Sequence, residues 1–474
     1  VDKVFGTIQV RLNVSDEVLA YLTYQCQQSN SLSNCTIFQV RQDHFEDCER
    51  VEFFDSNGLY RSEFKTKSVR ASYPELCKVM TNNPHYKALG GQCAQQALKS
   101  VVESFSSFNG LLKLFWKGEI NQPRMPSYRT KGGLAPISYP AQALSFDIET
   151  GECRIPISRE LSDSVKEHLA VKELRINGAY GIKPSQIVEL RIIPRNNEFY
   201  AEYVYKYGNE GASCHLGLNP KLALGIDHGV GNWLTCVSTV GKSFIVDGLK
   251  LKSINQNYNR RVASLKEGKS PKYWDFELAR ITEKRNRVMR DAINKTARFI
   301  INHCIQNQLG VVIFGWNARQ KDGSDMGREN NQEFVQIPTA KLKIRIQQLC
   351  AEVGIQFIET EESYTSKSSF LDHDFLPQYG AKPISWKPSG KRGKKGDGIG
   401  RGQYRTAQGF LLNSDCHGAI NIVRKVSTQL GLDLAKVCRA VLNLPKRYDL
   451  FNSLTKSYRK RCEVGLLDPV ATSA

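Results

Sequence analysis

The sequence predicts a bilobed, multidomain α/β protein. Its 474 residues correspond to two to four domains of typical size. Hydrophobic residues make up 41% of the chain and charged residues 24%, a composition that can bury a core. The N-terminal half combines strand-like segments with one helical stretch, whereas from Leu218 onward short strands alternate with long helices.

The net charge of the chain narrows the classes of function that the protein could have. Lysine and arginine number 66 against 47 aspartates and glutamates, for a net charge of +19. Such a surface attracts polyanions, of which nucleic acid is the commonest in a cytosol. No apolar run approaches the roughly 18 residues needed to span a bilayer, and the first residues do not resemble a secretory signal. We therefore expect a cytoplasmic protein, associated with the nucleoid when it is bound to DNA, and no membrane partner.

The 13 cysteines contain no C-x-x-C pair, and the two closest together are Cys26 and Cys35. Zinc knuckles and ribbons need paired cysteines at short spacing. We therefore expect no structural zinc and interpret most of these cysteines as small buried hydrophobic residues.

In the N-terminal half, residues 1–20 alternate like a strand, and residues 70–116 repeat apolar positions every three to four residues, like helix. Proline, glycine and basic residues crowd 117–140, which predicts a loop. Residues 141–206 read as strands, with alternating aromatics in FYAEYVYKY.

In the C-terminal half, LALGIDHG, WLTCVS and SFIVDG predict three successive strands. Residues 251–306 predict long helix broken near residues 268–271. A buried strand (GVVIFGWN), a helix over 334–353 and a strand (IQFIETEES) follow. The last helix starts at SDCHGAINIVRKV, with Ser414 or Asp415 available as its N-cap. This order predicts a mixed sheet with helices on both faces.

Two aspartates lie at positions where α/β sheets usually place their functional sites. Asp227 ends an apolar strand, and open α/β sheets place their sites at such carboxyl ends. Asp415 lies at the start of the last helix. Carboxylate oxygens are hard ligands, and two aspartates on separate elements could bind magnesium or manganese. Two such ions can activate a water molecule that hydrolyses a phosphodiester. The alternative is structural, with Asp227 in a turn and Asp415 as a helix cap.

At LGIDHGVGNWLT, ESYTSKSSFLD and LLNSDCHGAINI, the chain resembles the split RuvC-like nuclease domain of transposon-encoded TnpB proteins and the compact type V CRISPR effectors. Upstream, CAQQALKSVVESF and FWKGEINQPRMPSYR resemble the family's recognition region and its junction with the wedge barrel. The resemblance covers roughly residues 70–430. It implies an RNA-guided DNA endonuclease whose partners are a guide RNA and a target DNA, with a short flanking duplex motif read by the protein.

The resemblance also implies a domain plan. Residues 1–20 and 117–215 would form an oligonucleotide-binding-like β-barrel wedge, into which a helical recognition domain (21–116) is inserted. Residues 216–365 and 406–440 would form the RuvC-like (RNase H-like) domain. Residues 366–405 would be a basic loop in place of a zinc finger, and 441–474 a C-terminal tail.

Three departures from the family pattern stand out. The family usually places a glutamate on the buried strand where this chain has Phe314 and Gly315. It also usually carries two C-x-x-C pairs before its last aspartate, and this chain has none. Its last helix usually begins D-x-N, whereas here Asp415 is followed by cysteine and histidine.

The missing glutamate can be replaced from the neighbouring strand, whose end carries Glu359, Glu361 and Glu362. Adjacent strands lie about 4.8 Å apart, a gap that a glutamate side chain partly bridges. We favour Glu361 or Glu362 as the third metal ligand beside Asp227 and Asp415. Only one is expected to serve, because neighbours on a strand face opposite ways. Asp322, Asp325 and Glu329 are weaker candidates, and all these acids could instead be a solvated strand end.

Basic residues are the candidate nucleic-acid contacts. Residues 251–300 carry 13 lysines and arginines against 5 acids, and residues 380–405 carry eight against one. The first segment is expected to face RNA or heteroduplex, and the second to track a single strand toward the site, unless it is only a solvated loop. The candidates are Arg260, Arg261, Arg285, Arg287, Lys387, Lys391, Arg392, Lys394, Lys395, Arg401 and Arg405. His228 and His417, beside the two aspartates, could hydrogen-bond phosphate or water, or be structural.

Two other functions stay open from the sequence. A catalytically inactive RNA-guided DNA-binding protein, acting in repression or transposition targeting, would keep the RNA-binding surfaces and lose the metal site. A nonspecific basic nucleic-acid-binding protein would need neither. The retention of Asp227 and Asp415 favours the enzyme, and the strand at Phe314 and Gly315 favours the inactive binder.

Overall fold

The computed structural model divides the chain into two compact units, residues 1–208 and 209–474. None of its described helices is long and apolar enough to cross a membrane. The structure describes residues 4–54, 56–64, 67–147, 150–158, 161, 163, 167, 174–179, 181–207, 217–317, 338–393, 398–400 and 402–451.

Among its described residues, the first unit combines antiparallel sheets with four helices. In chain order its elements are β1 (Val4–Arg11), α1 (Asp16–Glu46), β2 (Arg50–Phe54), β3 (Tyr60–Phe64), α2 (Tyr73–Met80), α3 (Pro84–Leu89), α4 (Gly91–Trp116), β4 (Ile137–Pro140), β5 (Ser145–Phe146), β6 (Glu152–Ile155), β7 (Leu174–Asn177), β8 (Ile187–Arg195) and β9 (Glu198–Tyr207). Strands β1, β9, β8 and β4 form one antiparallel sheet in that order, and β5, β6 and β7 form another. The predicted wedge and recognition domains stay predictions at the level of domains.

Two local expectations in this unit were wrong. The strand expected over residues 1–20 ends at Arg11, and a helix begins at Asp16. Ser15 caps this helix by accepting a hydrogen bond from the Val18 amide, and acids fill the first turn, where the helix dipole favours them. The stretch 21–116, expected to be helical, also contains the β2–β3 hairpin.

The second unit has a six-stranded mixed sheet. In chain order its elements are β10 (Asn219–His228), β11 (Asn232–Ser238), β12 (Lys242–Asp247), α5 (Leu249–Lys266), α6 (Phe276–Gln306), β13 (Leu309–Gly315), α7 (Thr339–Val353), β14 (Gln356–Thr360), β15 (Lys391–Arg392), β16 (Gln403–Arg405), β17 (Leu411–Asn413), α8 (Ser414–Leu430), α9 (Arg439–Asn443) and β18 (Lys446–Tyr448). The sheet order is β14-β13-β10-β11-β12-β18. Strands β14, β13 and β10 are parallel, so their carboxyl ends share one edge.

Helices cover both faces of this sheet, as its alternation predicts. Leu224 and Ile226 pack with apolar residues of α6 and α7, whereas Ala223 on the opposite face packs against α8. The expected tail from residue 441 was wrong in part, because β18 joins the sheet parallel to β12. The expected loop 366–405 contains β15 and the start of a small sheet with β16 and β17.

Candidate metal and nucleic-acid site

Asp227 lies at the carboxyl end of β10, on the face that α8 covers. A Cβ built on Gly225 would lie 2.6 Å from the Ala419 carbonyl oxygen, and one on Gly418 would lie 2.7 Å from Oδ2 of Asp227. Real Cβ atoms do not come so close, so glycines on both elements permit this contact between helix and strand. The carboxylate of Asp227 therefore rests directly against the first turns of α8.

Asp415 lies in the first turn of α8, but it is not the cap. The side chain of Asn413 accepts hydrogen bonds from the amides of Asp415 and Cys416, at 3.1 and 3.0 Å. The expected cap at Ser414 or Asp415 was therefore wrong. Since Asn413 caps the helix, the Asp415 carboxylate is left for other partners. Asn232 donates to its Oδ2 at 2.7 Å, and the Arg392 guanidinium lies 3.1 Å from Oδ1.

The Glu362 side chain passes over the carboxyl end of β13, the strand next to β14. A Cβ on Gly315 would lie 3.0 Å from Cγ of Glu362 and 3.1 Å from its Oε1. The Glu362 amide donates to the Asn317 side chain at 3.0 Å, which holds the turn after β14 in place. The side chain therefore occupies the space that a residue larger than glycine would fill at position 315.

Glu361 and Glu359 point elsewhere. Glu361 pairs with the buried ammonium of Lys425 and accepts a hydrogen bond from the Ser363 amide at 2.6 Å. Partial burial opposes ionisation of Glu361, yet the hydrogen bonds from Lys425 and Ser363 hold its pKa below its usual value. Glu359 pairs with Lys343. Of the predicted third ligands, the structure brings only Glu362 beside Asp227.

Electrostatics make the cluster a candidate site for a cation. Burial raises the pKa of Asp227 well above its ordinary value, and the charges of Glu362 and Asp415 raise it further, against the opposing charge of Arg392. Ligand atoms of Asp227, His228 and Glu362 all lie within 4.8 Å of one another. A divalent cation would neutralise these carboxylates, and the donor set fits one. Asp322, Asp325 and Glu329 lie outside the described residues.

The two histidines differ. The His417 ring is fully buried and stacks on Tyr404 with ring centroids 3.9 Å apart, and its Nε2 accepts from the Phe370 amide at 3.1 Å. Burial lowers its pKa to about 4, so this ring is neutral and supports the fold. His228, in contrast, brings Nδ1 to 3.1 Å from Oε1 of Glu362. Sequence reasoning did not assign His228, Asn232 or the glycines to the ligand site.

The predicted nucleic-acid-contacting residues differ in the exposure of their side chains. Arg260, Lys387, Lys391, Arg392 and Arg405 are exposed, although Arg392 also pairs with Asp415. Within the α5–α6 hairpin, Arg261 is also exposed but pairs with Glu277, and half-buried Arg285 donates to Asn255 at 2.8 Å. Arg287 is half-buried. Lys394, Lys395 and Arg401 lie outside the described residues.

One comparison with known protein families agrees with the resemblance read from the sequence. Residues 205–320, which contain Asp227, match the model of the OrfB_IS605 family, described as a probable transposase. The resemblance to the TnpB family is therefore confirmed for this segment. The chain matches no curated protein.

Two solved structures are similar to the chain. One is a Cas12f1–sgRNA–target DNA complex, with 14% identity over 88% of this chain and 98% of that one, at a TM-score of 0.29. The other is a CRISPR-Cas12f ternary complex, with 13% identity over 86% of this chain and 80% of that one, also at 0.29.

Proposed function

We propose that this chain, whose residues 205–320 match the OrfB_IS605 family, is an RNA-guided DNA endonuclease with a RuvC-like site. The net charge of +19 supports a polyanionic partner. The resemblance of its motifs to TnpB proteins supports a guide RNA and a target DNA as those partners. Base pairing would supply sequence specificity, and the protein would read a short flanking motif.

The proposal depends most on one observation, that the Glu362 side chain passes over Gly315. The strand position that usually supplies a glutamate lacks a carboxylate here, which on its own would favour an inactive binder. Glu362 supplies a carboxylate beside Asp227 from the turn that follows the next strand, β14. A third carboxylate, Asp415, is near enough for its charge to raise the pKa of Asp227.

Magnesium or manganese would be held by Asp227, Glu362 and Asp415. When bound, such an ion activates water and stabilises the leaving oxygen of a phosphodiester. Asn232 fixes the Asp415 carboxylate through its 2.7 Å hydrogen bond. The exposed guanidinium of Arg392, 3.1 Å from that carboxylate, would contact a phosphate brought to the site. The resemblance implies products with 5′-phosphate and 3′-hydroxyl ends.

The basic surfaces would guide the nucleic acids. Exposed Arg260 on α5 would face RNA or heteroduplex, and Lys387, Lys391 and Arg405 would lead a single strand toward Arg392. In the same proposal the first unit carries the wedge and the recognition domain.

The test is cleavage of a plasmid library with randomised flanks by the protein purified with its co-expressed native RNA, with magnesium. We expect cuts that depend on guide and flank and that disappear in Asp227→Ala and Glu362→Gln. Glu361→Gln is the matched control and should keep cleavage. Guide-dependent binding without cleavage would instead establish an inactive DNA binder, and binding without guide dependence a nonspecific nucleic-acid-binding protein.

A further inference from the structure

His228 occupies an unusual place for a residue next to a metal ligand. Because side chains alternate along β10, the His228 ring points away from α8 and toward the sheet face that carries Phe314 and Trp316. The ring centroid lies 5.9 Å from that of Phe314 and 5.1 Å from that of Trp316. Packing against these aromatics holds the imidazole at the strand end, where Glu362 crosses from β14.

Two polar atoms at this point are buried without a hydrogen bond. The His228 side chain is only 7% exposed. Its Nδ1 and Oε1 of Glu362 are both inaccessible to solvent, and neither has a hydrogen-bond partner among the described residues. The two atoms lie 3.1 Å apart, yet they are not aligned as donor and acceptor. Buried polar atoms are rarely left unsatisfied without a functional reason.

A cation accounts for this geometry. Nitrogen and oxygen ligands lie about 2.0–2.2 Å from a divalent transition ion. Two such ligands at right angles are therefore roughly 3 Å apart, which matches the observed separation. Asp227 adds a third ligand atom within 4.8 Å of both.

We propose that Nδ1 of His228 is a metal ligand together with Asp227 and Glu362, and that this mixed nitrogen–oxygen site takes a divalent transition ion such as Mn²⁺ in preference to Mg²⁺. This rests on the proposed function, since it concerns the same cation site. Mg²⁺ prefers oxygen ligands alone, whereas an imidazole nitrogen strengthens binding of first-row transition ions. Neutral imidazole supplies the lone pair through Nδ1 when its proton is on Nε2.

The test measures ligation directly, without nuclease activity. Mn²⁺ is added to the full-length protein free of nucleic acid, and electron spin echo spectra are recorded for ¹⁴N coupling, with affinity from calorimetry. We expect nitrogen coupling in the wild type and its loss in His228→Asn, with Mn²⁺ affinity falling about tenfold and Mg²⁺ affinity by less than about twofold. His85→Asn, a histidine of the other unit, is the matched control.

The outcomes separate the two proposals. Mn²⁺ bound without nitrogen coupling, but lost in Asp227→Asn and Glu362→Gln, would overturn the role of His228 and keep the cation site. Coupling that persists in His228→Asn would also overturn that role. No Mn²⁺ binding that depends on Asp227 and Glu362 would overturn both proposals.

Discussion

The carboxylate of Glu362 occupies the space beside Gly315 that a side chain at position 315 would otherwise fill. A Cβ on Gly315 would lie 3.1 Å from Oε1 of Glu362 and 2.4 Å from Cδ1 of Ile422, so a larger residue at position 315 would push both side chains aside. This pair explains how the strand can lack its usual glutamate while a carboxylate still stands beside Asp227.

Gly315→Ala should therefore slow cleavage while guide-dependent DNA binding persists. The added methyl group forces Glu362 to shift by a few tenths of an ångström. Since a misplacement of about 1 Å can cost about 10²-fold in rate, we expect this smaller shift to cost about tenfold or less. Single-turnover cleavage and a binding assay on the same preparation check this. Gly110→Ala, where a Cβ meets nothing within 4 Å, is the control and should cut normally. Wild-type cleavage by Gly315→Ala would contradict the role of Glu362.

Glu361→Gln should lower stability but keep cleavage within about threefold. The Lys425 side chain is only 6% exposed, and the substitution leaves its ammonium without a carboxylate. Breaking a partly buried pair of this kind is expected to cost about 1–2 kcal/mol, less than for a fully buried pair, since Glu361 is 33% exposed. Thermal unfolding measures the loss. A large fall in cleavage with unchanged stability would show that Glu361, not Glu362, serves the metal.

Asp227→Asn should stabilise the metal-free protein. The raised pKa of Asp227 means that the folded state disfavours its charge, so the wild type loses stability as pH rises above 3.8 toward the folded-state pKa. The neutral amide avoids this loss, and we expect a gain of about 1–3 kcal/mol at neutral pH. Denaturant unfolding without divalent ions measures it. Magnesium or manganese should stabilise only the wild type, and equal stability of both proteins without metal would contradict the prediction.

The second unit should lose stability in acid through His303. Burial, and to a lesser extent the nearby Lys242, lowers the pKa of this ring to about 4. A lowered histidine pKa contributes stability above the ordinary value of 6.5 that is lost as pH falls toward 4, at most about 3 kcal/mol. Because Nε2 is buried without a hydrogen bond from any described residue, His303→Leu should be tolerated and should flatten this slope in unfolding measured from pH 7 to 4. An unchanged slope would exclude His303 as its source.

The segment 366–405 should stay folded without zinc. Carboxylate Oδ2 of Asp372 accepts hydrogen bonds from Ser389 Oγ at 3.2 Å and the Ala407 amide at 2.8 Å, and from the Ser369 hydroxyl. These bonds join three stretches of chain, at Ser369, Ser389 and Ala407, through the single carboxylate of Asp372. Hydrogen exchange in this segment should be unaffected by a zinc chelator and should rise in Asp372→Ala. Chelator-induced exchange in the wild type would contradict this prediction.

The sequence alone predicted the order of the main strands and helices of the second unit, from β10 to β14 and α8, because alternation and helical periodicity are local. It also located Asp227 and Asp415, since a strand end and a helix start can be read from neighbouring residues. It missed the helix that starts at Asp16 and the strand Lys446–Tyr448, the latter because a short edge strand has little apolar signal.

Only the tertiary structure shows which of Glu361 and Glu362 lies beside Asp227. Strand β14 ends at Thr360, so the alternation that fixes side-chain direction no longer applies to either residue. The turn that follows, with Tyr364 at a φ of 64°, and the partners Lys425 and Asn317 set the two directions instead. These partners lie far from the glutamates in sequence, and Gly315 leaves room for Glu362 only because β13 and β14 pair side by side.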